Sequence, residues 1–137
     1  MKIREVSTCI IFNHKKEVLL QKKTLDYPFS PNGPWLFFGG HIEENENATQ
    51  AIKRELKEEL GQEFNVQFWK KETFNLQNGS KVIENIFISF FEGEISKLSL
   101  REGAGFAFFD ISELDSLNSL PEQIKLIKDY FKENPNT

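Results

Sequence analysis

Cysteine is nearly missing: Cys9 is the single one among 137 residues. No internal disulfide can form, and a lone thiol in an apolar stretch reads as a small core residue. No apolar run reaches the length of about 18 residues that a membrane helix needs, so no span is expected. No signal-peptide pattern opens the sequence, which suits a cytoplasmic location. Positive charge is in deficit, 17 Lys and Arg against 21 Asp and Glu, for a net charge of −4. That balance argues against stable nucleic-acid binding and against anionic membranes as partners. No internal repeat or linker divides the chain, so residues 1–137 read as one domain with a loose tail at 134–137. What the chain does have is phenylalanine, 14 residues, which implies a core built on aromatics.

Hydrophobic patterning predicts the elements. Val6 to Phe12 is a β-branched apolar run and reads as a buried strand. Asn13 to Lys16 is a turn, which makes His14 a solvated residue, and Glu17 to Lys23 is the returning strand. Leu25 to Pro34 is a loop, and Trp35 to Phe38 a short strand ending at Gly39-Gly40. Phe64 to Leu76 and Lys81 to Phe91 flank Asn78-Gly79, a type I′ hairpin signal. Glu92 to Leu100 holds a further short strand, Arg101 to Gly105 a loop, and Phe106 to Phe109 a strand. Asp110 to Leu114 is a turn or short helix, and Pro121 to Phe131 closes the chain as a helix with Pro at its first position. Strands, helix, strands and helix in this order imply an α/β fold, a mixed sheet between helices.

One helix breaks a local rule. Ala48 to Leu60 consists of good helix formers and ends at Gly61. Its last turn should carry basic residues, because helix C-termini are partially negative. It carries Glu58 and Glu59 instead, with Glu55 one turn back. At about 100° per residue the three carboxylates share a face. Ala48 and Ala51 lie on that face too and leave room for something to approach. Ile52, Leu56 and Leu60 form the core stripe, while Gln50, Lys53 and Lys57 point to water. A solvated acidic helix is the plain reading. A site for a hard divalent cation is the other, since carboxylate oxygens are its natural ligands. Arg54, four residues before Glu58, can orient a carboxylate.

The surrounding spacing decides between them. From Gly40 the sequence runs five residues to Glu46, then seven to Arg54-Glu55-Leu56, then Glu58-Glu59 and Gly61. This resembles the signature of the Nudix hydrolases, in particular MutT-like members, Gx5Ex7REUxEExGU with U a bulky apolar residue. Eight of the nine specified positions match. At residue frequencies of about 5–7% each, a chance match in such a chain is on the order of one in ten million. The last position departs: Gln62 replaces the apolar residue, and Phe64 is placed to fill the core space. Phe38 stands before the glycine pair where family members often have proline.

The resemblance implies a Nudix-type α/β/α sandwich and cleavage of a diphosphate linkage in a nucleoside diphosphate joined to another group. It implies Mg²⁺, with Mn²⁺ able to substitute, held by Glu55, Glu58, Glu59 and the Gly40 carbonyl. Arg54 and Glu46 would secure the helix, with Gly39 and Gly61 shaping its ends. MutT-like members often carry a Glu-Gly loop before the last core strand, and Glu102-Gly103 matches it, which adds Glu102 to the metal set. Glu58 and Glu102 are both candidates for the general base. Substrate candidates lie outside the signature: Lys23 for a phosphate, Phe37 and Trp35 as stacking surfaces, and His41 beside the glycine pair. Nucleoside triphosphates, nucleotide sugars and dinucleoside polyphosphates all stay open, as do monomer and homodimer. Two rival classes are a Nudix-like nucleotide sensor without cleavage and an acidic Ca²⁺-binding protein. Intact charged positions speak against the first, and the lack of an EF-hand pattern against the second.

Overall fold

The computed structural model describes residues 2–28, 31–101 and 103–137. In chain order the elements are β1 (Ile3–Phe12), β2 (Glu17–Lys22), β3 (Trp35–Leu36), β4 (Phe38–His41), α1 (Ala48–Leu60), β5 (Gln67–Asn75), β6 (Lys81–Phe90), β7 (Gly105–Asp110) and α2 (Pro121–Glu133). Short 3-10 helices occupy Ile95–Lys97 and Ile111–Ser116.

The sheet is organised on β1. It runs parallel to β6 along its whole length, from Ile3 opposite Lys81 to Phe12 opposite Phe90. β5 continues the sheet antiparallel to β6. The other edge of β1 forks. Ile11 and Phe12 pair with Leu19 and Val18 of β2, whereas Val6 to Cys9 pair with His41 to Phe38 of β4. β2 then carries β3 and β7 away from β1.

Side-chain alternation sends β1 and β6 into two cores. Cys9, Ile11 and Phe87 pack with Ile52, Leu56 and Leu60 of α1. Ile10, Phe12, Ile86 and Ile88 pack with Leu126, Ile127 and Phe131 of α2. A strand buried on both faces reads as a continuous apolar run, which is why Cys9-Ile10-Ile11-Phe12 does not alternate. Helices therefore cover both faces, and the architecture is the expected mixed-sheet α/β/α sandwich. Phe64 joins the α1-side core, consistent with Gln62 giving up the apolar position.

Several local expectations are corrected. β1 starts at Ile3, because β6 pairs with residues the apolar run did not include. The strand at Trp35 is interrupted at Phe37, whose N–H donates to the Gln123 side chain of α2 at 2.9 Å. Gly39-Gly40 lies inside β4 rather than after a strand. The segment 92–100 contains a 3-10 turn and no strand. The hairpin is not type I′, since that turn needs two positive φ values and only Gly79 has one, +86°. Residues 77–79 instead form a three-residue loop closed by the Leu76 N–H to Ser80 carbonyl bond at 2.8 Å. At the end of the chain, Lys16 Nζ donates to the Pro135 carbonyl at 2.9 Å. No helix among the described residues is long and apolar enough to cross a membrane.

Candidate active site

Both ends of α1 are fixed by hydrogen bonds that free helix ends lack. Asn47 caps the start and forms a reciprocal box with Gln50, at 2.8 Å each way. Gly61 closes the end in the left-handed conformation, φ 79°. Beyond it, Ser99 N–H donates to the Leu60 carbonyl at 3.0 Å and Arg101 N–H to the Glu59 carbonyl at 3.1 Å. The loop ahead of β7 is thus stitched to the acidic turn of the helix.

Arg54 is the hub of the box. Its Nε and Nη2 grip both oxygens of Glu46, at 3.0 and 2.7 Å. This bidentate pairing fixes direction as well as charge. Nη2 also donates to the His41 carbonyl at 3.0 Å, which ties α1 to β4. Nη1 donates to Glu55 at 2.9 Å and reaches Glu58 at 3.3 Å. The Arg54 hydrogen bonds, with a further one from the Glu43 N–H, hold the Glu46 carboxyl down at about 2. Glu55 and Arg54 are mostly covered, whereas half of the Glu58 side chain is exposed.

Glu59 is fully buried and points to the sheet. Its Oε1 accepts from the Gly39 N–H at 3.0 Å. Gly39 has a φ of +143°, and a Cβ there would run into the Ser7 carbonyl of β1. A Cβ at Gly40 would sit 2.6 Å from Glu55 Oε1. Both glycines are therefore required for β4 to lie between β1 and the carboxylates of α1. Ala51 is fully buried, and the Ala48 carbonyl accepts from Ser7 Oγ at 2.8 Å.

The box thus joins Glu46, Glu55 and Glu58 through Arg54 and sets Glu59 on Gly39. Among the described residues, no three acid, imidazole or thiol side chains are gathered into one metal-ligating shell. Glu102 lies outside the described residues.

A cleft of about 340 Å³ opens on the α2 side of the sheet and reaches round to Gly39, Gly40 and His41. Of the substrate candidates, Lys23, Phe37 and His41 line it, and Trp35 does not. Trp35 packs edge-on against Phe109 at 4.8 Å instead. Lys23 Nζ donates to the Gln21 side chain at 3.0 Å and lies 5.6 Å from the Tyr27 ring centre. His41 Nε2 accepts from Arg4 at 3.0 Å. Partial burial, then Arg4 and Lys2, push its pKa down, which favours the neutral imidazole. Sequence reasoning missed Thr8 and Glu84, which line the same cleft. The available signal was Glu84 itself, an acid between Val82 and Ile86 on the otherwise apolar face of its strand.

Comparison with known proteins places this geometry in a family. The family model for the NUDIX domain matches residues 1–131. The chain belongs to the Nudix family. A search of curated protein sequences finds no significant match. Solved structures share the fold. A MutT protein from Methanosarcina mazei Go1 superposes with a TM-score of 0.78 at 19% identity, covering 99% of this chain and 97% of that one. The E. coli ORF135 protein gives 0.74 at 25% identity, over 96% and 91% of the two chains. The E. coli dihydroneopterin triphosphate pyrophosphohydrolase gives 0.76 at 18% identity, over 95% and 97%.

Proposed function

We propose that this protein is a divalent-metal-dependent hydrolase that cleaves a diphosphate linkage in a small nucleoside diphosphate derivative. The observation that carries the reading is the Arg54 hub. One guanidinium holds Glu46, Glu55 and Glu58 beside the glycine strand, in a chain of the Nudix family. An acidic surface helix of purely structural use has no need of a bidentate clamp inside its own charge cluster.

The donor set suits a hard cation. It offers carboxylate oxygens of Glu55, Glu58 and Glu59 and the Gly40 carbonyl, with no thiol or imidazole among them. The missing Cβ of Gly40 keeps that strand within reach of Glu55. Mg²⁺, or Mn²⁺ in its place, supplies charge neutralisation to the diphosphate and lowers the pKa of the attacking water.

The residues divide the remaining work. Arg54 offsets repulsion between Glu55 and Glu58 and fixes their heading. Gly39 N–H holds Glu59. A general base must reach the water with a carboxylate, and Glu58 and Glu102 are the two candidates. The Arg101 to Glu59 backbone bond anchors the chain directly before Glu102 to the box helix, which supports a role for that residue. Lys23, Phe37 and His41 line the cleft toward the substrate; Trp35 is withdrawn from that set.

A panel of nucleoside triphosphates, nucleotide sugars and dinucleoside polyphosphates, scored for phosphate or pyrophosphate release, tests the proposal. Release is expected with Mg²⁺ and its loss in excess EDTA. Full turnover in EDTA rejects the metal. Tight binding without cleavage across the panel identifies a sensor.

A further inference from the structure

Glu84 is the most unusual ionisable group outside the box. It lies on β6, the central parallel partner of β1, with 6% of its surface exposed. Strand interiors seldom hold an acid, because burying a carboxylate is costly unless hydrogen bonds compensate. One oxygen, Oε2, accepts from Thr8 Oγ1 at 2.6 Å. Oε1 meets no hydrogen-bond donor among the described residues. No Lys or Arg among them pairs with Glu84. Burial drives its pKa up, and Glu122 and Glu72 add to the rise, against the lowering by Thr8. A structural acid would have a cation or a second donor.

Its surroundings say what approaches it. Thr8 and Glu84 share the cleft with three rings, Tyr27, Phe37 and Phe74, and with a second acid, Glu122. At about 340 Å³ the cleft falls in the usual range for small-ligand pockets, about 300–1,000 Å³. Ring faces beside a nearly buried acceptor suit a planar heterocycle, with Arg4 and Lys23 in the same cleft suited to its anionic groups. The other end of the cleft is the Gly39-Gly40 strand, on whose far side lie Glu55 and Glu59. A nucleotide with its base at Glu84 directs its phosphates toward the box.

We propose that Glu84, oriented by Thr8, is the specificity-determining residue of this cleft, and that it accepts two hydrogen bonds from a 2-amino-4-oxopyrimidine edge such as that of guanine. The choice follows from donor and acceptor patterns. A carboxylate presents adjacent acceptors and no donor. The guanine edge presents a ring N–H beside an amino group, two adjacent donors. Adenine and cytosine place a ring acceptor beside their amino group, and uracil flanks its N–H with carbonyl oxygens. Each of these sets a lone pair against Glu84. The inference rests on the nucleotide reading of the cleft, though not on cleavage.

Binding of GMP, AMP, CMP and UMP in EDTA, measured by calorimetry, tests it without hydrolysis. GMP is expected to bind at least about tenfold more tightly than the other three, the effect of charge-assisted hydrogen bonds set against unpaired groups. Glu84→Gln converts one acceptor into a donor, so the preference should vanish and AMP should gain. Thr8→Val should weaken GMP binding to a smaller degree. Circular dichroism checks that each variant folds, and the wild-type panel decides if one does not. Equal binding of the four, no GMP binding at millimolar concentration, or an unchanged preference in Glu84→Gln overturns the proposal. A protein that prefers GMP but releases no phosphate or pyrophosphate from any substrate overturns the hydrolase reading alone.

Discussion

The Gly39 N–H donates to Glu59 Oε1 at 3.0 Å, so an acid of the box helix serves as hydrogen-bond partner to the strand beside it. Glu59 is thereby a structural group as well as a candidate ligand. These two roles separate by substitution, because only one of them needs a charge.

Glu59→Gln keeps an acceptor for Gly39 and removes a charge from the adverse end of the helix dipole. Its melting temperature in EDTA is expected to match or exceed that of the wild type. Glu59→Ala strands a buried N–H, at a cost of about 1–3 kcal/mol, and should melt several degrees lower. Both should lose most turnover. Thermal melts of the two variants side by side are the measurement, and equal melting temperatures would argue against the Gly39 bond.

Arg54→Lys keeps the positive charge and loses the fork. An ammonium cannot hold both oxygens of Glu46 while also reaching Glu55, Glu58 and the His41 carbonyl. Turnover should fall by about tenfold or more, as expected when a positioning contact is lost, and more Mg²⁺ should be needed for half-maximal rate. Wild-type kinetics across a Mg²⁺ titration of the lysine variant would count against Arg54 as the organiser.

The Glu46 carboxyl at about 2 gives a pH signature. Its folded value lies below its ordinary 4.5, so the stability it contributes is present above 4.5 and is lost as pH falls toward 2. Glu46→Gln should therefore lower the melting temperature at pH 7 and leave a shallower decline between pH 4.5 and 2. Melts at several pH values check the slope. Parallel curves for the two proteins would mean that the Arg54–Glu46 pair adds no linkage.

Glu102→Gln separates the loop acid from those of the helix. If its carboxylate serves the attacking water, kcat drops by roughly 10²–10⁴-fold, the usual range for a positioned base. KM should change little. Near wild-type kcat at saturating Mg²⁺ would make Glu102 a bystander and move the search to Glu58.

Much of this was legible beforehand because it rests on local chemistry. The helix bounds follow from Gly61 and the run of helix formers, and its core stripe from spacing alone. The charged box positions were visible because their pattern is sequential. Other features depend on what the sheet brings together. The Ala48 carbonyl accepts from Ser7 Oγ of β1, and no property of the helix reports that. Glu84 lies 76 residues from Thr8, and its importance appears only when parallel pairing of their strands brings the two within hydrogen-bond reach. Trp35 looked like a free stacking surface because its partner, Phe109, is far away in sequence.

The parallel pairing of β1 with β6 also shapes how the chain is made. Ile3 and its partner Lys81 are 78 residues apart in the chain. At a synthesis rate of about 5–20 residues per second, roughly 4–16 s pass between the emergence of the two. During that interval β1 has only the short β2 hairpin contact at Ile11 and Phe12 and, later, the four residues of β4. Its apolar stretch exposes an open edge of the kind that recruits neighbouring chains. Yield of folded protein should therefore respond to chaperone supply and slower expression, and a charged substitution in the apolar part of β1 that reduces nascent-chain aggregation would trace it to this strand.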